Sequence, residues 1–254
     1  MKKHLLITVL FCLTNMVAQN KVSEKVLELQ QLNAQFKSFS VLNESQNAIN
    51  TTVDKVVDGA TLATINLEKI NEIVATKQEY IQLEIPYQNQ IIAVLLYKVN
   101  PFAEGFHIDT DKRKNIQYQK GVYYRGIIKG ETNSVSSFNF FNGAFNGIVS
   151  SSKLGNIVIG KLEKANNQLE YIVYSDAKMK VLNDFDCHVK SDETSLPKSG
   201  ITNRGDNNNR CATFYFEIDN NLFLQNGSDI TTTSNWMTSV LDRKSTRLNS
   251  SHVD

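Results

Sequence analysis

Apolar and polar residues change their period along the chain. Val22, Val26, Leu29, Leu32 and Phe36 recur at spacings of three and four. That pattern predicts an amphipathic helix in the stretch 21–42, with Ser23 as a candidate cap. Residues 43–60 are polar and irregular, a loop or a weak helix. From about Thr64 the period shortens to two. Ile81, Leu83 and Ile85 alternate with Gln82 and Glu84, the signature of a half-buried strand. Pro86-Tyr87-Gln88-Asn89 supplies a turn, and the near-continuous apolar run 91–99 completes a predicted β-hairpin that Pro101 ends.

Residues 121–176 continue in the same register. Stretches 122–124, 134–140, 145–150, 156–160 and 170–174 are rich in β-branched and aromatic side chains. Turn formers lie between or beside them: Lys129-Gly130-Glu131, Asn142-Gly143, Asn146-Gly147, Leu154-Gly155-Asn156 and Ala165-Asn166-Asn167. Gly126 and Gly130 are read as turn glycines, since no phosphate-loop Lys-Ser/Thr follows them. Phe138, Phe140, Phe141 and Phe145 are expected to form the core and rim of this meander rather than a ligand platform. No helix of length is expected between 60 and 180. The fold class read here is mainly β, an antiparallel meander with an N-terminal helix.

Beyond the meander the composition shifts. Residues 189–210 are rich in Ser, Asn, Asp and Gly and include Pro197, a linker and the best domain boundary in the chain. Residues 212–218 alternate as a strand, 219–227 turn, and 228–241 can begin a helix with Ser228 or Asp229 as cap.

With 254 residues, 41% hydrophobic and 21% charged, the chain can bury one large core or two small ones. A net charge of +1 gives no footprint for nucleic acid or an anionic membrane, so neither is expected as a partner. Residues 1–18 have the form of a secretory signal: Lys2 and Lys3, an apolar run over 5–13, and the exit Met16-Val17-Ala18 with cleavage after Ala18. That run is far shorter than the roughly 20 residues of a membrane span. Cys12 lies inside it behind bulky Phe11, an unsuitable context for a lipid-anchor cysteine. The mature protein is therefore expected to be exported, to the cell surface, periplasm or medium, and free of the membrane.

Two cysteines remain after signal removal, Cys187 and Cys211, an even count that permits one disulfide. Such a bond would span the linker and add about 3 kcal/mol by restricting the unfolded chain. A buried or free Cys187 thiol is the other reading. Residues 242–252 (DRKSTRLNSSH) resemble the translation of a sequencing-library adapter, so the natural sequence is expected to be informative only to Leu241 and the gene to continue beyond it.

The order YYRGIIKGETNSVSSFNFFNGAFNGIV, GNIVIGKL, YIVYSD resembles the propeptide module of bacterial secreted reprolysin/ADAM-like zinc metallopeptidases. CATFYFEIDNNLFLQNGSDITTTSNWMTSVL resembles the opening of their catalytic domain, and the two together cover roughly 60–241. Between the signal peptide (1–18), a lead segment (19–60) and the foreign tail (242–254), the resemblance implies a β-rich prodomain (61–188) and, after the linker (189–210), a strand–helix fragment of an α/β zincin-like catalytic domain (211–241). It implies a zymogen whose prodomain assists folding and latency, with its own downstream catalytic domain and a processing protease as partners. Arg204 and Arg210 are candidate processing sites. The resemblance also offers Cys187 as a latency thiolate on zinc, although the surrounding DFDCHV departs from the motif of animal relatives.

The chemistry of such peptidases needs two histidines one helical turn apart flanking a glutamate base. The chain has His4, His107, His188 and His252, and no pair has that spacing. No catalytic or metal residue is therefore assigned, and zinc is implied for the full-length parent alone. His107 is read as a packed or surface residue. Cys187 and His188, adjacent on an extended segment, point to opposite sides and make a poor nucleophile pair. The alternative is a secreted β-rich binding or adhesion module without catalysis.

Overall fold

The computed structural model describes residues 20–45, 52–164, 166–181 and 215–251, with 245–251 as helix backbone only. A helix α1 (Lys21–Gln31) leads into β1 (Lys37–Ser40) and β2 (Leu42–Glu44). A single turn α2 (Val53–Val56), β3 (Thr61–Ile65) and helix α3 (Leu67–Thr76) follow. The meander is β4 (Tyr80–Tyr87), β5 (Gln90–Val99), β6 (Val122–Ile128), β7 (Ser134–Phe141), β8 (Ala144–Ser151), β9 (Gly155–Lys161) and β10 (Glu170–Ser175). Two helices, α4 (Asn220–Gln225) and α5 (Ile230–Ser251), come last. The protein is mainly β, with its longest helices near the two ends of the described chain.

All ten strands form one sheet in the order β1-β4-β5-β6-β7-β8-β9-β10-β3-β2. β1 and β2 are separated in the chain by Val41 alone, yet they occupy opposite edges. β1 runs parallel to β4 (Phe39 beside Leu83), and β2 runs antiparallel to β3 (Leu42 beside Ile65). One short stretch of chain therefore joins both edges, and the sheet rolls into a nearly closed barrel. Val41 is wholly buried at this seam, and its carbonyl accepts from Asn66 N at 2.8 Å.

The pleat sorts side chains onto two faces. Inward lie Val94, Leu96, Tyr124, Phe138, Phe140 and Phe145, in one cluster with Phe39, Val149 and Tyr171. The rings of Phe140, Phe145 and Tyr171 stack in sequence at 5.6 and 5.0 Å. Phe141 is half-buried at the rim, as the sequence suggests. Outward from β5, β6 and β7 lie Leu95, Ile127 and Val135, which α1 covers with Val22 and Val26.

Several elements depart from expectation. The amphipathic helix stops at Gln31, Asn33 takes a left-handed φ of 54°, and the stretch expected as helix continues as β1. Its cap is Asn20, whose side chain accepts from Val22 N at 2.9 Å, while Ser23 is buried inside the helix. The segment 60–180 does contain a helix, α3. Ile70 and Ile73, one turn apart, are fully buried in the inner cluster, and Asn66 caps the first turn. The hairpin turn is Gln88-Asn89 alone, with φ of 50° and 61°, both positive as a type I′ connection requires. Pro86 and Tyr87 remain in β4.

Gly126 and Asn146-Gly147 are not turns either. They lie within β6 and β8, where a side chain would strike the Leu95 backbone or the Phe138 ring. Of the expected strand 212–218, residues 215–218 carry no strand, and 212–214 lie outside the described residues. Asp229 does cap α5, accepting from Thr232 N at 2.6 Å.

Candidate functional site

The most developed polar arrangement among the described residues lies where α5 crosses the outer face of β6, β7 and β8. Alternation places Tyr123, Arg125, Ser137, Asn139 and Asn146 on that face, away from the aromatic core. Helical spacing places Asn235, Thr238 and Ser239 on one stripe of α5. The two sets meet directly. Asn235 Oδ1 accepts from Gly121 N at 3.1 Å, and its Nδ2 donates to Gln119 O at 2.9 Å. Tyr123 OH and Thr238 Oγ1 share a hydrogen bond of 2.6 Å, and Thr238 also donates to Ser234 O at 2.8 Å. Asn146 Nδ2 donates to Ser239 Oγ at 3.1 Å, which in turn donates to Trp236 O at 2.7 Å. The Asn139 amide lies beside them, its nitrogen donating to Asp242 Oδ2 at 3.1 Å and to Phe138 O at 3.2 Å.

One turn further on, Asp242 completes the contact. Its carboxylate has no exposed surface and accepts from Arg125 Nη2 at 2.7 Å and from Ser137 Oγ at 2.8 Å. This is the first residue of the tail expected to be foreign. Asn235, Thr238 and Ser239 make their own contacts with other groups of the face. Burial pushes the Tyr123 hydroxyl well above its ordinary range, with the Thr238 hydrogen bond opposing the shift. Tyr123 therefore stays a neutral hydrogen-bonding group under α5.

This helix is held by polar groups. Thr233, Ser234, Asn235 and Ser239 are buried, yet no residue described after Val173 is a buried apolar one. Trp236 is 41% exposed, and Tyr215 and Leu224 are exposed as well.

The other sequence candidates fall elsewhere. His107 lies in the exposed loop between β5 and β6, its Nδ1 2.8 Å from Gly105 O and its Nε2 3.7 Å from Asp109. Asp109 is already engaged by Asn115 N and Lys114, which hold its carboxyl below the usual range. That leaves an open groove lined by Gly105, Phe106, His107 and Lys114, and no acid–base pair. Ala18, Cys187, His188, Arg204, Arg210 and Cys211 lie outside the described residues. Among the described residues no group of three or more His, Cys, Asp or Glu is placed to hold a metal, and no helix is long and apolar enough to cross a membrane.

Sequence reasoning did not single out the interface residues. Their signal was present but weak: Ser137 and Asn139 alternate with Phe138 and Phe140, which marks a polar outer face without saying that anything covers it. No known protein-family model matches the chain, and no curated protein matches it.

Proposed function

We propose that the chain is the N-terminal part of an exported zinc metalloendopeptidase precursor, with the barrel as prodomain and residues 211–241 as the start of the catalytic domain. The observation that carries this reading is the seat of α5. The segment that resembles the opening of a peptidase domain rests on the barrel through the matched polar contacts of Asn235, Thr238 and Ser239. A prodomain that assists folding and latency needs such a contact. The zinc that such an enzyme uses would activate water for peptide hydrolysis. The sequence holds no H-E-x-x-H, so the ligands of that metal are assigned to the part of the gene following Leu241.

Two measurements test the proposal together. Reading the source locus through the codon for Leu241 should reveal H-E-x-x-H on a following helix. The product of that full frame, cut in 190–210, should then hydrolyse casein in a chelator-sensitive way, while the uncut form stays inactive. A frame that continues without the motif, or a product with no peptidase activity after cutting, refutes the peptidase reading and leaves a secreted β-rich binding module.

A further inference from the structure

We infer that the outer face of β6–β8 is a docking surface for a polar helix, and that the barrel holds α5 as a separable ligand rather than as part of its core. Two helices lie on this one sheet face and are held differently. α1 meets Leu95, Ile127 and Val135 with Val22 and Val26, all of them buried. Removing it would expose a contiguous apolar patch, so α1 belongs permanently to the barrel. α5 meets the neighbouring part of the face with Asn235, Thr238, Ser239 and Asp242, and what they touch is Tyr123, Arg125, Ser137, Asn146 and the backbone of Gln119 and Gly121. Each of these groups can exchange its partner for water when the helix leaves. The free energy lost is therefore the net value of a few hydrogen bonds and of the Arg125–Asp242 pair, both of whose charges regain water, and not the burial of a core.

Polar, hydrogen-bonded contact areas of this kind are characteristic of interfaces that open, whereas permanent ones resemble a core cut in half. The matched pairing supplies specificity. A helix without an amide at 235 and hydroxyls at 238 and 239 would leave Tyr123 OH and the Asn146 amide covered but unpaired. The partner class is thus a helix presenting amide and hydroxyl groups along one stripe, and the occupant here is α5. The inference rests on the contact itself and not on the peptidase reading. A locus lacking H-E-x-x-H would leave it standing, and an inseparable helix would not remove the peptidase proposal.

The test uses the full chain with a recognition sequence for a site-specific protease placed within 182–214. Trp236 is the only tryptophan, so its fluorescence anisotropy reports α5, and far-UV circular dichroism reports the barrel. After cutting, dilution should lower the anisotropy with a concentration-dependent midpoint while the β signal persists. Thr238→Val should move that midpoint about tenfold toward higher concentration, because Tyr123 loses its partner. Tyr123→Phe should do the same from the other side, and the double variant should be no weaker than either single one. Gln225→Ala, on the exposed side of α4, should leave the midpoint unchanged. Release of Trp236 only when the whole barrel unfolds, a low anisotropy independent of concentration, or fully additive effects of the two substitutions would each overturn the inference.

Discussion

Gly126 offers the sharpest test of how the barrel is built. It sits in β6 opposite Leu96 of β5. A methyl group there would overlap the Leu95 carbonyl oxygen and lie 2.8 Å from its carbonyl carbon and 2.9 Å from Leu96 Cα. These are backbone atoms and cannot rotate aside. Carbon atoms settle at about 3.5–4.0 Å, so Gly126→Ala must spread β5 from β6 by at least about 0.7 Å. That breaks about two ladder hydrogen bonds, each with a net value of about 1 kcal/mol. It also loosens Leu95 and Ile127 from α1, where full burial of one such side chain is worth about 1.5–3 kcal/mol. The expected loss is about 4 kcal/mol, a large share of the 5–15 kcal/mol that holds a typical domain together.

The assay is urea unfolding followed by far-UV circular dichroism, with Gly130→Ala as comparison. Gly130 has a φ of 81° and nothing within 4 Å of an added Cβ. It should cost only the 1–2 kcal/mol of a left-handed non-glycine residue. If Gly126→Ala unfolds within about 0.5 kcal/mol of the parent, or costs less than Gly130→Ala, the strand spacing described here is wrong.

Three further outcomes follow from the same structure. Ile70→Ala, which hollows the inner cluster beneath α3, should lower stability by about 2–5 kcal/mol in the same assay; an unchanged midpoint would mean that α3 does not seat there. Burial raises the Tyr118 and Tyr171 hydroxyls from 10.0 to about 12. The folded state thus holds these protons more tightly than the unfolded chain. Their contribution is complete below pH 10 and is lost as pH climbs through the window up to about 12. The urea midpoint should therefore fall steadily above pH 10, and a flat profile there would refute the burial of these rings. Asp229→Ala removes the cap bonded to Thr232 N and should reduce helical ellipticity and destabilise α5 by about 1 kcal/mol, leaving the barrel's own unfolding in place.

The five meander strands were legible because alternation, β-branched residues and turn glycines all point the same way over 121–176. The hairpin was legible for the same reason, down to the alternation of Ile81, Leu83 and Ile85. Helix α3 was not. It has only ten residues, and its Leu67, Ile70, Ile73 and Val74 merge into the apolar run of a neighbouring strand. A short helix owes its existence to the inner cluster that receives Ile70 and Ile73, and that partner is invisible to a local window. β1 was lost to helix for a related reason. Phe36 continues the spacing of α1, but the sheet edge beside β4 claims the residues that follow it. Glycines 126 and 147 are ambiguous in sequence, since a turn and a close approach of backbone or ring both call for a missing side chain.

The barrel's seam explains why one face is left free for docking. With β1 and β2 drawn from one stretch around Val41, the sheet closes without recruiting the C-terminal segment, and every strand finds its partners among residues 37–175. The inner face is filled by its own aromatic rings and by α3, and the apolar part of the outer face is filled by α1. What remains for α5 is the part of the outer face over Tyr123, Ser137, Asn139 and Asn146, which could equally be solvated. Closing the sheet therefore divides the chain energetically as well as topologically. The barrel takes nearly all the apolar burial, and the contact with α5 is left to geometry-dependent hydrogen bonds and the Arg125–Asp242 pair; the hydrogen bonds weaken steeply with small displacements. A contact of that kind responds to the state of the helix it holds, whereas a core does not. Anything that reorients α5 acts first on these few bonds and leaves the barrel intact.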